Sequence, residues 1–400
     1  MGKLDHICSV EDFRRLASAR LPRPLFDAID GGSGSELTAA MNISAFSNIK
    51  LMNRGLVDVS RVDTSTTVFG QRLKFPLYCS PTGLSRLYHP SGELAVVRAC
   101  NAAGTAFGAS MISTFTHERI AAECDGPKIL QIYIFKDARV VSSMIERARQ
   151  SRYSALCITI DTPVPGYRYR DVRSGLVIPP KITPATAMKM LAKPVWLARF
   201  LTAERFSFAS LNDFDAGGDE TAPALVRFGR QLDPSATWER LGLIAREWGG
   251  PLLVKGIMHP KDAELALAHG ATAIVVSNHG GRQFDGGLAP IEILPSIVEC
   301  VNGRAEVYLD GGVRNGSDVI KALALGADAV GIGRPWVFAL AAAGEPGVRR
   351  LLELFANEIR NGMALMGCRN VSEITRDFVF SKSDGPRTNA FTTKPPGSTP

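Results

Sequence analysis

The strongest constraint on this chain is a pattern that recurs eight times: a short apolar run, closed by a polar residue or glycine. The runs are Phe75–Ser80, Ala106–Ser110, Ile129–Ile134, Ala155–Asp161, Leu252–Gly256, Ala273–Ser277, Glu306–Asp310 and Ala329–Ile332. Runs this short and this apolar read as strands buried on both faces, which is the setting of a parallel sheet. Helical patterns lie between them. Glu93–Ala103 stops at Gly104, and Asp137–Gln150 opens on an Asp that can cap it. His259–His269 carries Pro260 in its first turn, and Ser317–Leu325 ends before Gly326. The reading is an α/β chain forming a (β/α)8 barrel, a TIM barrel, with an open doubly wound sheet as the alternative. A barrel puts chemistry at the C-terminal ends of its strands, where the polar residues of these runs stand.

The flanks differ in character. Residues 1–70 read as an N-terminal helical cap, 71–382 as the barrel, and 383–400 as a disordered tail too polar and Pro-rich to pack. A long insertion, about 165–235, follows strand four. Connections of that length are lids, insertions or disordered segments. Within it Met188, Met190, Leu191, Val195, Trp196, Leu197, Phe200 and Leu201 alternate with Lys181, Lys189, Lys193, Arg199 and Arg205. Apolar residues beside cations could lie in a membrane interface around 180–210; a lid on the barrel mouth or a subunit contact is the plainer alternative.

Composition narrows the classes. With 400 residues, 45% of them hydrophobic, the chain can bury a large core. No stretch of about 18 apolar residues offers a transmembrane helix. The net charge of +7 allows anionic ligands but has no basic–aromatic module, so nucleic acid is not an expected partner. Seven scattered cysteines without a C-x-x-C pair argue against metal and disulfide frameworks. The N-terminus has no apolar core followed by a small-residue cleavage site, so a cytoplasmic setting is expected, or a peripheral one on the inner face of the membrane.

Four clusters carry chemistry. Asp310-Gly311-Gly312-Val313-Arg314 closes run seven and Gly331-Ile332-Gly333-Arg334 closes run eight. Glycine turns at these two ends, each followed by Arg, fit a phosphate. In Ser277-Asn278-His279-Gly280-Gly281-Arg282, the imidazole can act as a base near neutral pH, and Arg282 can hold a carboxylate bidentately. Lys255 ends run five, where its cation would stabilise developing negative charge; a structural salt bridge is the alternative. Asp161 ends run four and could orient the imidazole. Gln131 and Tyr133, two apart, face one side of run three. The other histidines, His6, His89, His117, His259 and His269, read as surface or packing residues. Together these groups suit oxidation of an acid bearing an adjacent alcohol, with a phosphate-bearing cofactor.

The segments SNHGGRQFDG, LDGGVRNGSDVIKALALGADAVGIGRP and ITIDTP resemble the FMN-dependent L-2-hydroxy-acid oxidase and dehydrogenase family, and the similarity runs from about Ser9 to about Val379. The resemblance implies FMN as cofactor and a 2-hydroxy acid such as lactate or mandelate as substrate. It implies O2 or a quinone as electron acceptor, and a tetramer or octamer. By position it implies His279 as the base, Asp161 as its partner, and Arg282 and Arg168 as the carboxylate clamp. Tyr133 would meet the substrate hydroxyl, and Lys255 the flavin. FMN would be held by Pro81, Thr82, Gly83, Ser110, Gln131, Thr159, Lys255, Ser277, Asp310, Gly311, Gly312, Arg314, Gly333 and Arg334. One position departs. The family pattern resembles F-x-Y-I-D-G-G, and here Ala28 stands where the tyrosine is expected in Phe26-Asp27-Ala28-Ile29-Asp30-Gly31-Gly32. Losing that hydroxyl removes a contact of about 1–3 kcal/mol and opens space for a bulkier substrate. A member recruited to a larger alcohol or amine is the alternative; a flavin-binding protein without turnover is a third reading. Gly83 is a weaker pointer: glycolate-oxidase-like members tend to have Ala there, mandelate and quinone-linked lactate dehydrogenases Gly.

Overall fold

The structure, a computed structural model, describes residues 4–175, 190–204, 207–209 and 224–380. The tail 383–400 and much of the insertion, including Lys181, Met188, Lys189 and Arg205, lie outside the described residues.

Three helices open the chain: α1 (Val10–Arg20), α2 (Arg23–Asp30) and α3 (Leu37–Ser44). Ser9 caps α1 by accepting from Asp12 N, as its Ser-x-x-Asp spacing permits. Eight parallel strands then close into a barrel: β1 (Leu77–Cys79), β2 (Ala106–Ser110), β3 (Lys128–Tyr133), β4 (Ala155–Thr159), β5 (Leu252–Ile257), β6 (Ala273–Val276), β7 (Glu306–Asp310) and β8 (Ala329–Ile332). Each strand pairs with the next in sequence, and β8 returns to β1 with Val330 opposite Leu77. The open sheet is thereby set aside. Strand β1 is shorter than the run Phe75–Ser80 because Pro76 has no N–H to give the ladder. Strand β4 ends at Thr159 rather than Asp161, and β5 runs on to Ile257 through a register shift at Gly256.

The outer ring holds α4 (Gly92–Ala103), α5 (His117–Ala122), α6 (Ala138–Gln150), α7 (Tyr169–Ser174), α8 (Pro194–Thr202), α9 (Ala224–Gln231), α10 (Trp238–Trp248), α11 (Pro260–Ala268), α12 (Pro290–Val301), α13 (Gly316–Ala324), α14 (Arg334–Ala343) and α15 (Glu345–Met366). Asp137 caps α6 through Arg139 N, and Gly104 ends α4 in the left-handed region. Helices α7, α8 and α9 belong to the insertion.

The period-two alternation of the strands splits the core in two. Outward residues such as Phe107, Leu130, Ile158, Val254, Ile274 and Leu309 pack under the helices. Inward residues Tyr78, Ala106, Ile129, Cys157, Leu253, Val275, Tyr308 and Ala329 fill the barrel, closed at its lower end by Phe69. Continuing the inward rows by two residues reaches Ser80, Gln131, Thr159, Lys255, Ser277 and Asp310, and by four Ser110 and Tyr133. The barrel's own pleat therefore gathers these polar side chains at its C-terminal mouth.

Candidate active site

A cavity at that mouth is lined by most of the residues expected there: Ala28, Pro81, Thr82, Gly83, Ser110, Gln131, Tyr133, Thr159, Lys255, His279, Arg282, Asp310, Gly311, Gly312, Arg314, Gly333 and Arg334. Asp161, Ser277 and Arg168 do not line it. Asp161 stands behind His279, with Oδ1 at 3.0 Å from His279 Nδ1. Ser277 Oγ accepts from Lys255 Nζ at 2.7 Å and from the His279 backbone N–H at 3.2 Å. Arg168 points its Nε to Asp171 at 2.7 Å instead of into the cavity.

His279 has φ +57, left-handed backbone that a non-glycine residue adopts at a cost of about 1–2 kcal/mol. The bonds to Ser277 and Asp161 hold it there. Asp161 Oδ1 also accepts from Thr162 Oγ1 at 3.0 Å. Burial would push the Asp161 carboxyl up, but the attraction of His279 and Lys255 and these hydrogen bonds outweigh it, so it stays below its ordinary range. Gly256 makes room for this carboxylate: its Cβ would fall 2.7 Å from Asp161 Cβ. With Nδ1 committed to Asp161, Nε2 is the nitrogen of His279 that can take or give a proton.

Lys255 is buried, yet charged. Burial pulls its pKa down, but Asp310 (Oδ2 at 3.2 Å) and Asp161 more than restore it, to about 12. Ser80 Oγ donates to the same Asp310 oxygen at 3.1 Å. Tyr133 faces the cavity with its pKa raised to about 12, by burial first and by Asp161 second, so the phenol stays protonated. Phe228 of α9 meets its ring edge-on at 5.3 Å.

Three guanidiniums in the wall have no ion pair among the described residues. Arg282 donates to Ala28 O (2.6 Å) and Gly31 O (3.2 Å). Arg334 donates to Ile29 O, Gly280 O and Gly31 O at 2.7–2.9 Å. Arg314 donates to Val313 O at 2.9 Å. Burial, and then repulsion from Arg168 and Arg334, lowers the pKa of Arg282 to about 9. Burial lowers Arg314 and Arg334 to about 10. Carbonyl dipoles solvate these cations without neutralising them, so an anion in the cavity relieves the penalty. Arg334 is also the first residue of α14, whose N-terminal dipole favours a phosphate.

Gln131 tests whether a planar polar cofactor fits. Its Oε1 takes Ser110 Oγ at 3.1 Å, while Nε2 is buried without a hydrogen-bond partner. A side chain that is 2% exposed and lines a cavity needs an acceptor from a ligand there. That donor, the cation Lys255 beside it and the Arg314–Arg334 end suit the polar ring edge and the phosphate of a flavin mononucleotide.

The comparisons with known proteins agree. Residues 17–381 match the family model described as FMN-dependent dehydrogenase. The chain belongs to this family. It is 38% identical to glycolate oxidase of Spinacia oleracea over 384 residues, 96% of this chain and 98% of the relative. It is 38% identical to L-lactate dehydrogenase of Alcaligenes faecalis over 378 residues, covering 93% and 98%. The crystal structure of the monotopic membrane protein (S)-mandelate dehydrogenase superposes with a TM-score of 0.89 at 34% identity, covering 94% of this chain and all of that one. The protein is thus an FMN-dependent enzyme of the 2-hydroxy-acid oxidase and dehydrogenase family.

Sequence reasoning missed several wall residues: Ser80, Tyr88 and Ile112. Ser80 was within reach, since it continues the inward row from Tyr78. Tyr88 follows a 3-10 turn, Ser85–Leu87, whose composition carries no periodic signal. The packing role expected of His117 holds: the ring is buried and its Nε2 lies 3.0 Å from Ser110 O.

Proposed function

We propose that this enzyme oxidises an L-2-hydroxy acid, lactate- or mandelate-like or bulkier, to the 2-oxo acid, and passes the electrons to a quinone-type acceptor or O2. The observation that carries the reading is the His279–Asp161 pair at 3.0 Å, set on a wall that also holds the unpaired cation of Arg282. FMN, when bound, supplies the two-electron acceptor. Arg282, with Arg168 nearby, holds the substrate carboxylate. His279 Nε2 takes a proton as the substrate is oxidised, and Asp161 stabilises the imidazolium that results. Tyr133 donates its protonated phenol to the substrate oxygen. Lys255, a buried cation on the cavity wall, would face the flavin and favour its reduced, more negative form. Pro81, Thr82, Gly83, Ser110, Thr159, Ser277, Asp310, Gly311, Gly312 and Gly333 complete the cofactor cradle.

Two features refine the substrate and the acceptor. Ala28 leaves open the space a tyrosine would fill, which favours a substrate larger than lactate; a larger alcohol or amine is the second reading it raises. Gly83 sits tight on Ile112, whose Cγ1 would lie 2.4 Å from an added Cβ. Glycine here leans toward the quinone-linked branch. Leu191, Val195 and Leu201 are about two-thirds exposed beside Lys193 and Arg199, which supports peripheral contact with the inner face of a cytoplasmic membrane. A homotetramer or octamer follows the family pattern.

The test is anaerobic flavin absorbance on mixing with glycolate, L-lactate, each mandelate enantiomer and larger 2-hydroxy acids. Bleaching by one of them, and not by its enantiomer, is expected. Slow reoxidation in air and fast reoxidation by a quinone would support the dehydrogenase reading. A flavin that no hydroxy acid bleaches, but a bulky amine does, would overturn the substrate assignment.

A further inference from the structure

A second cavity, of about 150 Å³, lies beside the first. It is enclosed between the end of α1, the turn carrying Tyr88 and His89, and α8. Tyr88 is common to both cavities. One side is apolar: Leu21, Ala341 and the rings of Trp196 and Phe200, stacked 5.0 Å apart. Trp196 is fixed by an indole hydrogen bond to Leu87 O at 2.8 Å.

The other side is cationic. Of its four basic side chains, two are accounted for within the protein. Lys193 Nζ donates to Ala19 O at the end of α1, and Arg86 is held by Glu204 and the carbonyls of Glu204 and Thr114. Arg20 and Arg199 have no ion pair or hydrogen bond among the described residues. Each stands in the last turn of its own helix, where the helix dipole favours a cation. That explains either one alone, but not their convergence on one cavity. They lie close enough that Arg199 depresses Arg20, after burial, and both depress His89, after burial, to about 4. The imidazole is neutral at pH 7 and adds no further charge; its Nδ1 pairs with Ser91 Oγ at 2.7 Å. No carboxylate is among the residues that line this cavity.

We propose that this cavity binds an amphiphilic anion, with the carboxylate or phosphate head on Arg20 and Arg199 and the hydrocarbon or aromatic body against Trp196 and Phe200. The room suits a head and the first carbons of a tail. Val195, at the rim and largely exposed, marks where a longer tail would leave. Such a ligand is either a lipid held in a bilayer or a free amphiphilic acid. Because Tyr88 walls both cavities, an occupant here restrains a side chain that faces the hydroxy-acid site.

The experiment uses the FMN-loaded enzyme and follows tryptophan fluorescence during titration with dodecyl phosphate below its micelle concentration. One saturable site is expected, with inorganic phosphate and dodecanol each at least about tenfold weaker. Arg20→Gln and Arg199→Gln should each weaken binding about tenfold, the low end for a lost charged contact. Flavin content and reduction by the hydroxy acid should remain unchanged, which separates this test from that of the catalytic reading. Arg72→Gln, a cation remote from this cavity, should have no effect. Flotation with phosphatidylglycerol vesicles that is lost in the Arg20→Gln/Arg199→Gln variant identifies a bilayer source; dodecyl phosphate binding without flotation identifies a free amphiphile. Equal binding of dodecanol, no saturation, or indifference to both arginine substitutions would overturn the proposal.

Discussion

Gly312 offers a test of how the N-terminal helices build the cofactor end of the site. Its φ is +86, and an added Cβ would fall 1.9 Å from Asn42 O and 2.5 Å from Asn42 C. Both obstacles are backbone, so α3 must move by an ångström or more. Asn42 is not free to move: its side-chain amide exchanges two hydrogen bonds with Asn278, each 2.8 Å, next to His279. Gly286 has nearly the same φ, +89, but no atom within 4 Å of its Cβ direction. Gly286→Ala therefore measures the left-handed backbone alone, about 1–2 kcal/mol. Gly312→Ala adds the two amide bonds, at about 1 kcal/mol each, for about 3–4 kcal/mol in all. The assay is the urea midpoint together with FMN affinity, read from flavin fluorescence on dilution. Gly312→Ala should lower both, with FMN affinity down about tenfold or more, and Gly286→Ala should lower the midpoint slightly and spare FMN. Equal losses in the two variants would refute the argument that contact with α3 shapes the cradle.

Other substitutions probe single contacts. His279→Gln should keep FMN and slow flavin reduction by about 10²–10⁴-fold in stopped flow; near-normal reduction would remove His279 from the chemistry. Asp161→Asn should slow reduction comparably and change acid stability. The folded Asp161 carboxyl lies below its unfolded value, so its stabilisation is present above about pH 4 and is lost as pH falls through the folded value. The gap in melting midpoint between wild type and Asp161→Asn should thus narrow below about pH 4, and a gap independent of pH would contradict an ionised pair. Gln131→Leu should weaken FMN about tenfold by removing the buried Nε2 donor, measured by equilibrium dialysis. Ala28→Tyr should tighten small hydroxy acids and exclude bulky ones in the bleaching panel; unchanged KM values across the panel would count against an enlarged pocket.

The barrel was legible because its strands are short, apolar and terminated by chemistry. Lys255 and Asp310 could be placed from sequence because an inward-facing row of Leu253 or Tyr308 leaves a strand-end side chain only the mouth to enter. Contacts between distant segments were not legible. Asn42 and Asn278 pair across most of the chain, and Asp285 accepts the N–H groups of Ser35 and Thr38, yet no local pattern announces either. The pairing of Arg168 with Asp171, one helical turn on, was likewise not announced by the sequence. Tyr88 escaped notice because Leu84, with φ +65, redirects the backbone before the 3-10 turn.

These distant contacts explain how position 28 can lack a tyrosine while its segment keeps its structural role. The N-terminal stretch grips the active-site arginines with main-chain atoms: Ala28 O and Gly31 O hold Arg282, and Ile29 O and Gly31 O hold Arg334. Carbonyls are indifferent to the side chain that precedes them. An alanine therefore leaves both guanidiniums oriented, and the change is confined to the space and hydrogen bonding available to a substrate. Segment and side chain are separable here: the backbone of residues 28–31 orients the two arginines, and on the proposed reading the residue at 28 adjusts what substrate they can admit.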